Sequence, residues 1–196
     1  GTLTGLVISG NITANDVEAT FGSDSGEGTS LLLSGQLTGP NGFRFFQSSN
    51  SWNWTTTLNN ATANPNDYLG NTTISNTQTT VKLGAAEQIP NGVDKGNVLV
   101  NIGKLDLNGF SETINGLSGG ATAIIDNVTT GTTNTLTLGD GDATGLTFAG
   151  VIKDTTGTLS LTKTGTGIQT LSGANEYSGA TLISDGTLLV NGNQSL

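Results

Sequence analysis

Six of the ten aromatic residues crowd into one stretch: Phe43, Phe45, Phe46, Trp52, Trp54 and Tyr68. Trp52 and Trp54 stand two apart, so within one strand they would share a face. Facing outward, the pair would form a platform on which a sugar ring stacks. Facing inward, it would thicken a core, the commoner fate of large aromatics. Arg44, set between Phe43 and Phe45, would then be a solvated flank or a cation–π partner. Trp52, Trp54, Phe43 and Arg44 are therefore the candidate ligand contacts. Two acidic pairs are the other groups placed for chemistry, Asp140-Gly141-Asp142 and Asp24-Ser25-Gly26-Glu27. Neighbouring carboxylates can hold Ca²⁺, and a pair facing across a groove can hydrolyse a glycoside. Asp140 and Asp142 are thus candidate Ca²⁺ ligands, although Asp-Gly is also ordinary turn punctuation, the reading favoured here.

Composition removes most other chemistry. The 196 residues contain no Cys, His or Met. That excludes a disulfide framework, zinc–thiolate sites, a cysteine nucleophile and any Ser-His-Asp triad. Six Lys and Arg against fifteen Asp and Glu leave a net charge of −9, a poor match for phosphate backbones, so nucleic acid is not an expected partner. No apolar run reaches the ~18 residues of a membrane span, so this segment is not expected to insert in a bilayer. With no initiating Met, the chain reads as a piece of a longer protein. Six Asn-x-Ser/Thr sequons, at Asn11, Asn53, Asn60, Asn71, Asn127 and Asn193, are what chance gives in a chain with 21 Asn and 34 Thr.

The residues that must position any site come as short alternating strings. Thr80-Val-Lys-Leu-Gly84, Gly103-Lys-Leu-Asp-Leu-Asn-Gly109, Asn134-Thr-Leu-Thr-Leu-Gly139 and Gly157-Thr-Leu-Ser-Leu-Thr162 are examples. Their period of two puts Leu on one side and polar residues on the other. Gly, Thr, Asn and Ser, about half of the chain, suit turns and the solvated side of a pleat. The strings resemble one another, which points to stacked repeats. A longer echo is also present. Asn66-Asp-Tyr68-Leu-Gly70-Asn-Thr-Thr-Ile74 recurs as Asn175-Glu-Tyr177-Ser-Gly179-Ala-Thr-Leu-Ile183, and Leu33-Ser-Gly35-Gln-Leu37 as Phe148-Ala-Gly150-Val-Ile152. The expectation is one all-β solenoid over 1–196 with about seven to nine coils. Super-repeats would cover about 28–140 and 141–196, with an insertion at 36–65. A β-sandwich is the alternative.

From Leu161 to Val190 the pattern becomes specific. Leu161, Lys163, Gly165, Gly167, Leu171, Gly173, Asn175, Tyr177, Gly179, Thr181, Ile183, Gly186, Leu188 and Val190 fit a known spacing. This stretch resembles the autotransporter-associated β-strand repeat of bacterial surface proteins. The resemblance implies a right-handed parallel β-helix in an extracellular passenger region, with a repeat that carries no catalytic residues. The expected function is a non-enzymatic stalk or fibre segment at the cell surface, without a cofactor. Its expected partners are neighbouring coils or copies stacked head-to-tail. The alternatives are an adhesin gripping a glycan or protein through the aromatic stretch and, more remotely, a polysaccharide-active enzyme.

Overall fold

A computed structural model of the chain describes residues 5–23, 30–48, 51–61 and 65–192. The Asp24–Glu27 pair and the terminal strings Gly1–Leu3 and Asn193–Leu196 lie outside the described residues.

Each alternating string folds as a strand, and successive strands wrap around one apolar interior. The first level is β1 (Leu6–Ile8), β2 (Ile12–Thr13) and β3 (Ala19–Ser23). The second is β4 (Ser30–Leu33), β5 (Leu37–Thr38) and β6 (Phe43–Gln47). Next come β7 (Trp54–Leu58) and two long strands that each serve two faces, β8 (Thr72–Leu83) and β9 (Val98–Asp106). β10 (Glu112–Ile114) and β11 (Leu117–Gly119) complete the level that begins in the second half of β9. The next level holds β12 (Ala123–Asn127), β13 (Thr133–Leu138) and β14 (Leu146–Phe148). β15 (Val151–Asp154), β16 (Thr158–Lys163) and β17 (Ile168–Leu171) follow, and β18 (Thr181–Ile183) and β19 (Thr187–Val190) close the described stack.

All named strand pairs are parallel, from β1–β4 to β17–β19. The chain is therefore a parallel β-solenoid; a sandwich of antiparallel sheets is excluded. Along one face β1, β4, β7, β8, β9, β12 and β15 stack as seven successive levels, and β18 and β19 begin another. The two middle levels carry loop where the others carry a third-face strand, around 66–68 and 84–97. Within 36–65, β5, β6 and β7 lie in register with their neighbours. A long strandless excursion follows at 84–97.

Register converts the alternation into columns. Leu136 of β13 stacks on Leu161 of β16, and Ile125 of β12 lies between Leu105 and Ile152. These side chains are fully buried. The partners of a parallel pair are about 4.8 Å apart, so each apolar side chain touches its equivalents above and below. The sequence echo is matched by contacts. Tyr68 and Tyr177 hydrogen-bond the hydroxyls of Thr72 and Thr181 at 2.6 and 2.7 Å. Asn66 accepts from Leu37 N, and Asn175 from Ile152 N, each one level below.

Close stacking also explains a file of glycines. A Cβ at Gly173 would lie 1.9 Å from Gly150 O, and one at Gly192 would lie 1.9 Å from Gly173 O. Gly173→Ala is expected to destabilise the fold by about 3 kcal/mol, because backbone rather than a movable side chain blocks the methyl. Gly10, with nothing within 4 Å of its Cβ position, serves as the control. Gly10→Ala should change stability by less than about 0.5 kcal/mol in urea denaturation.

Candidate functional site

The aromatic stretch divides between core and surface. Phe43 is fully buried, 4.9 Å edge-on to Tyr68 and 5.9 Å from Phe21 in a stacked arrangement. Trp54 opens β7 pointing inward, and its indole N–H donates to Thr56 Oγ1 at 2.9 Å. Trp52 lies before the strand, in a bend, and is 42% exposed. The expected shared face therefore does not form, because the strand begins only at Trp54. Phe43 and Trp54 belong to the core and are out of a ligand's reach. Arg44 is on the surface: its guanidinium is 5.6 Å from the Phe46 ring centroid, and Nε donates to Ser75 Oγ.

Asp140 and Asp142 sit in a single 3₁₀ turn, Asp140–Asp142. Asp142 Oδ1 accepts the Thr166 backbone N–H at 2.7 Å, which holds its carboxyl below the usual range. That carboxylate already has work as a turn clamp. Among the described residues no three His, Cys, Asp or Glu side chains converge as metal ligands.

The interior holds polar groups that the sequence did not single out. Where the third-face strand is missing, side chains from adjacent levels meet some of the backbone N–H groups, while others keep main-chain partners, as Asp67 N does on Leu37 O. Asn60 N donates to Gln88 Oε1 at 2.6 Å, and Asn66 Nδ2 to Gln88 O at 2.8 Å. Gln88 N and Ile89 N in turn donate to the two carboxylate oxygens of Glu112, at 3.0 and 2.7 Å. Asn115 pins the far side of the excursion through Gly92 N, Gly92 O and Lys95 O. Burial, only partly opposed by those N–H donors, pushes the Glu112 carboxyl up to about 8. Lys163 occupies a column position between Leu138 and Ile183. Its ammonium turns back to donate to Thr164 O at 2.5 Å and Gly165 O at 2.8 Å, and burial lowers its pKa. The motif lysine is thus a turn clamp.

A concave feature also faces solvent. A groove of about 420 Å³ is lined by Thr77, Thr80, Gly103, Lys104, Thr122, Ile124, Asp126 and Lys153. Its walls are outward positions of β8, β9, β12 and β15, brought together by register. Lys82 pairs with Asp106, Asp106 with Asp126, and Asp126 with Lys153, while Lys104 pairs with Ile124. Lys104 Nζ is 4.0 Å from Asp106, and Lys153 Nζ is 3.7 Å from Asp126. Asp126 accepts from Thr155 N and, on both oxygens, from Thr155 Oγ1. Asp106 accepts from Asn108 N. Burial raises the Asp106 carboxyl, against the pull of that N–H, Lys104 and Lys82. Both carboxylates thus already hold structural bonds, an unsuitable state for an acid–base pair.

The fold and these sites define a class: a parallel β-solenoid whose buried polar residues tie one level to the next. The family described as passenger-associated-transport-repeat matches residues 161–190, the span from Leu161 to Val190 quoted above. Residues 161–190 therefore match a passenger-associated-transport repeat. A curated relative, the protein called adhesin BmaC autotransporter from Brucella suis biovar 1 (strain 1330), is 36% identical over 127 residues. The aligned region is 64% of this chain and only 4% of that protein's length. No solved structure matches.

Two measurements check this description. Trp54→Ala should cost about 3–5 kcal/mol of stability, whereas Trp52→Ala should stay within about 0.5 kcal/mol, read by urea denaturation. The raised carboxyl of Glu112 fixes a pH dependence. Between about pH 4.5, its unfolded value, and about pH 8, the folded state binds more proton than the unfolded one. The Glu112 contribution is complete below pH 4.5 and is lost as pH rises through 8. Tm should therefore fall across this window, with a flatter slope in Glu112→Gln.

Proposed function

We propose that this chain is a stiff, non-enzymatic segment of an extracellular passenger, spacing or displaying other surfaces outside a bacterial cell. The observation that carries this reading is where the polar chemistry goes. Glu112, Asp106, Asp126, Asn66, Asn175 and Lys163 bond between levels or close turns of the solenoid. Such bonds stiffen a stack and commit these six groups to structure rather than to chemistry over a cleft. The passenger-associated repeat and the relative's place among autotransporters support the extracellular setting. No helix among the described residues is long and apolar enough to cross a membrane.

The ends of the described stack support a finer reading, self-stacking. Ile183 continues the column of Lys163, and Val190 that of Leu171, yet they are 53% and 41% exposed. At the other end Leu6, in register with the buried Leu31, is 60% exposed. Apolar columns beside unpaired strand edges invite another level, from the same chain or from a second copy. An adhesin-like role is the second reading; the printed name of the Brucella relative favours it. The buried Phe43 and Trp54 do not support a grip through the aromatic stretch.

Negative-stain electron microscopy over a range of concentrations tests the self-stacking. Rods of uniform width should lengthen with concentration, and Ile183→Glu combined with Val190→Glu should hold them at single length. Single-length rods at every concentration would remove self-stacking and leave the spacer reading in place.

A further inference from the structure

We infer that the groove over β9, β12 and β15 is a binding site for a carboxylate-bearing glycan chain lying along the solenoid axis. The first support is an inversion of local charge. The chain carries −9 overall, yet three of its six basic side chains, Lys82, Lys104 and Lys153, gather on this outward face. Two acids, Asp106 and Asp126, stand among them and pair with Lys104 and Lys153, so the face holds three ammoniums against two carboxylates. The Asp106 and Asp126 side chains are 5% and 4% exposed beneath the lysines, whereas those of Lys104 and Lys153 are 30% and 33% exposed. Asp106 and Asp126 also accept internal bonds from Asn108 and Thr155. At 4.0 and 3.7 Å, the Lys104 and Lys153 ammoniums lie beyond hydrogen-bond distance of them. Both keep donors for an incoming anion.

The second support is shape. Lys104 and Lys153 lie on strands two levels apart, so they are separated by roughly 10 Å along the axis. That is about the length of two sugar rings, and it matches carboxylates on alternate units of an acidic glycan. Between them the floor is Ile124, on which a ring face can rest, edged by the hydroxyls of Thr77, Thr80 and Thr122. Beyond Lys153 the exposed Glu176 comes next in register, which closes the cationic run on that side. The ligand therefore extends towards Lys82. The site is on a lateral face and uses none of β1, β18 and β19, the end strands on which stacking would rest, so it does not depend on whether copies stack.

The test is titration calorimetry of this chain at low ionic strength, with a uronic-acid hexasaccharide and its carboxyl-reduced neutral counterpart. The expected result is binding of the uronate, weakened by salt, and no binding of the neutral sugar. Lys104→Gln combined with Lys153→Gln should weaken binding about tenfold or more. Lys95→Gln, on a surface lysine outside the groove, should leave it unchanged. Thr122 is exposed at the groove edge and holds no internal bond, so Thr122→Glu should weaken and Thr122→Lys strengthen binding even if the double variant folds poorly. No uronate binding, equal binding of the neutral sugar, or affinity indifferent to the charge at residue 122 would overturn the assignment.

Discussion

The structure depends on one constraint: in a stack of parallel strands, each backbone polar group finds its partner in the level above or below. The strands here are two to six residues long, apart from the two that serve two faces. One such strand buries too little to be stable alone, so a level exists only because its neighbours do. Side chains obey the same rule. An inward Leu is covered by the Leu one level away, and a glycine at a tight corner is required where carbonyl oxygens of adjacent levels come within contact, as at Gly150 and Gly173.

The buried polar residues follow from that constraint wherever strand geometry lapses. Around 66–68 the main chain still donates to Leu37 O and Gly39 O through Asp67 N and Leu69 N, and Asn66 adds a side-chain acceptor, whereas around 84–97 Gln88, Glu112 and Asn115 supply the partners. β11 and β14 pair only at Gly119 and Phe148. There Gln169 reaches across, accepting from Leu117 N at 3.0 Å and donating to Leu117 O at 2.8 Å. A residue that would mark an active site on another scaffold thus serves here as a replacement for missing main chain. Glu112 illustrates the cost of this arrangement: a carboxyl placed to receive two N–H groups must also leave water, and its pKa rises accordingly.

Much of this was legible in the residues. The Leu-x-Leu period identified the inward columns, and the motif from Leu161 to Val190 located a repeat and, with it, the fold. What escaped was everything that depends on register between distant strings. Trp52 and Trp54 have the spacing of a shared face, but spacing decides nothing until the strand start is known, and β7 starts at Trp54. The Asn66/Asn175 echo was visible as letters, whereas its role as an acceptor for the level below was not. Lys82, Lys104 and Lys153 stand at unrelated intervals because the levels differ in length. Only the pairings of β8, β9, β12 and β15 bring them to one face. Glu112 and Lys163 sit where alternation asks for apolar residues, a signal that could have marked both as buried and bonded.

The central claim is that distant strings are held in one parallel register. The absence of cysteine makes a direct measurement simple. Thr137 and Thr162 are outward partners on β13 and β16. Changed together to Cys, they should oxidise to an intramolecular disulfide, because parallel partners lie within the Cα separation that bond requires. The pair Thr137→Cys and Ser160→Cys, two residues out of register on the same face, should stay reduced under the same mild oxidation. Equal cross-linking of both pairs, or of neither, would contradict the stack described here.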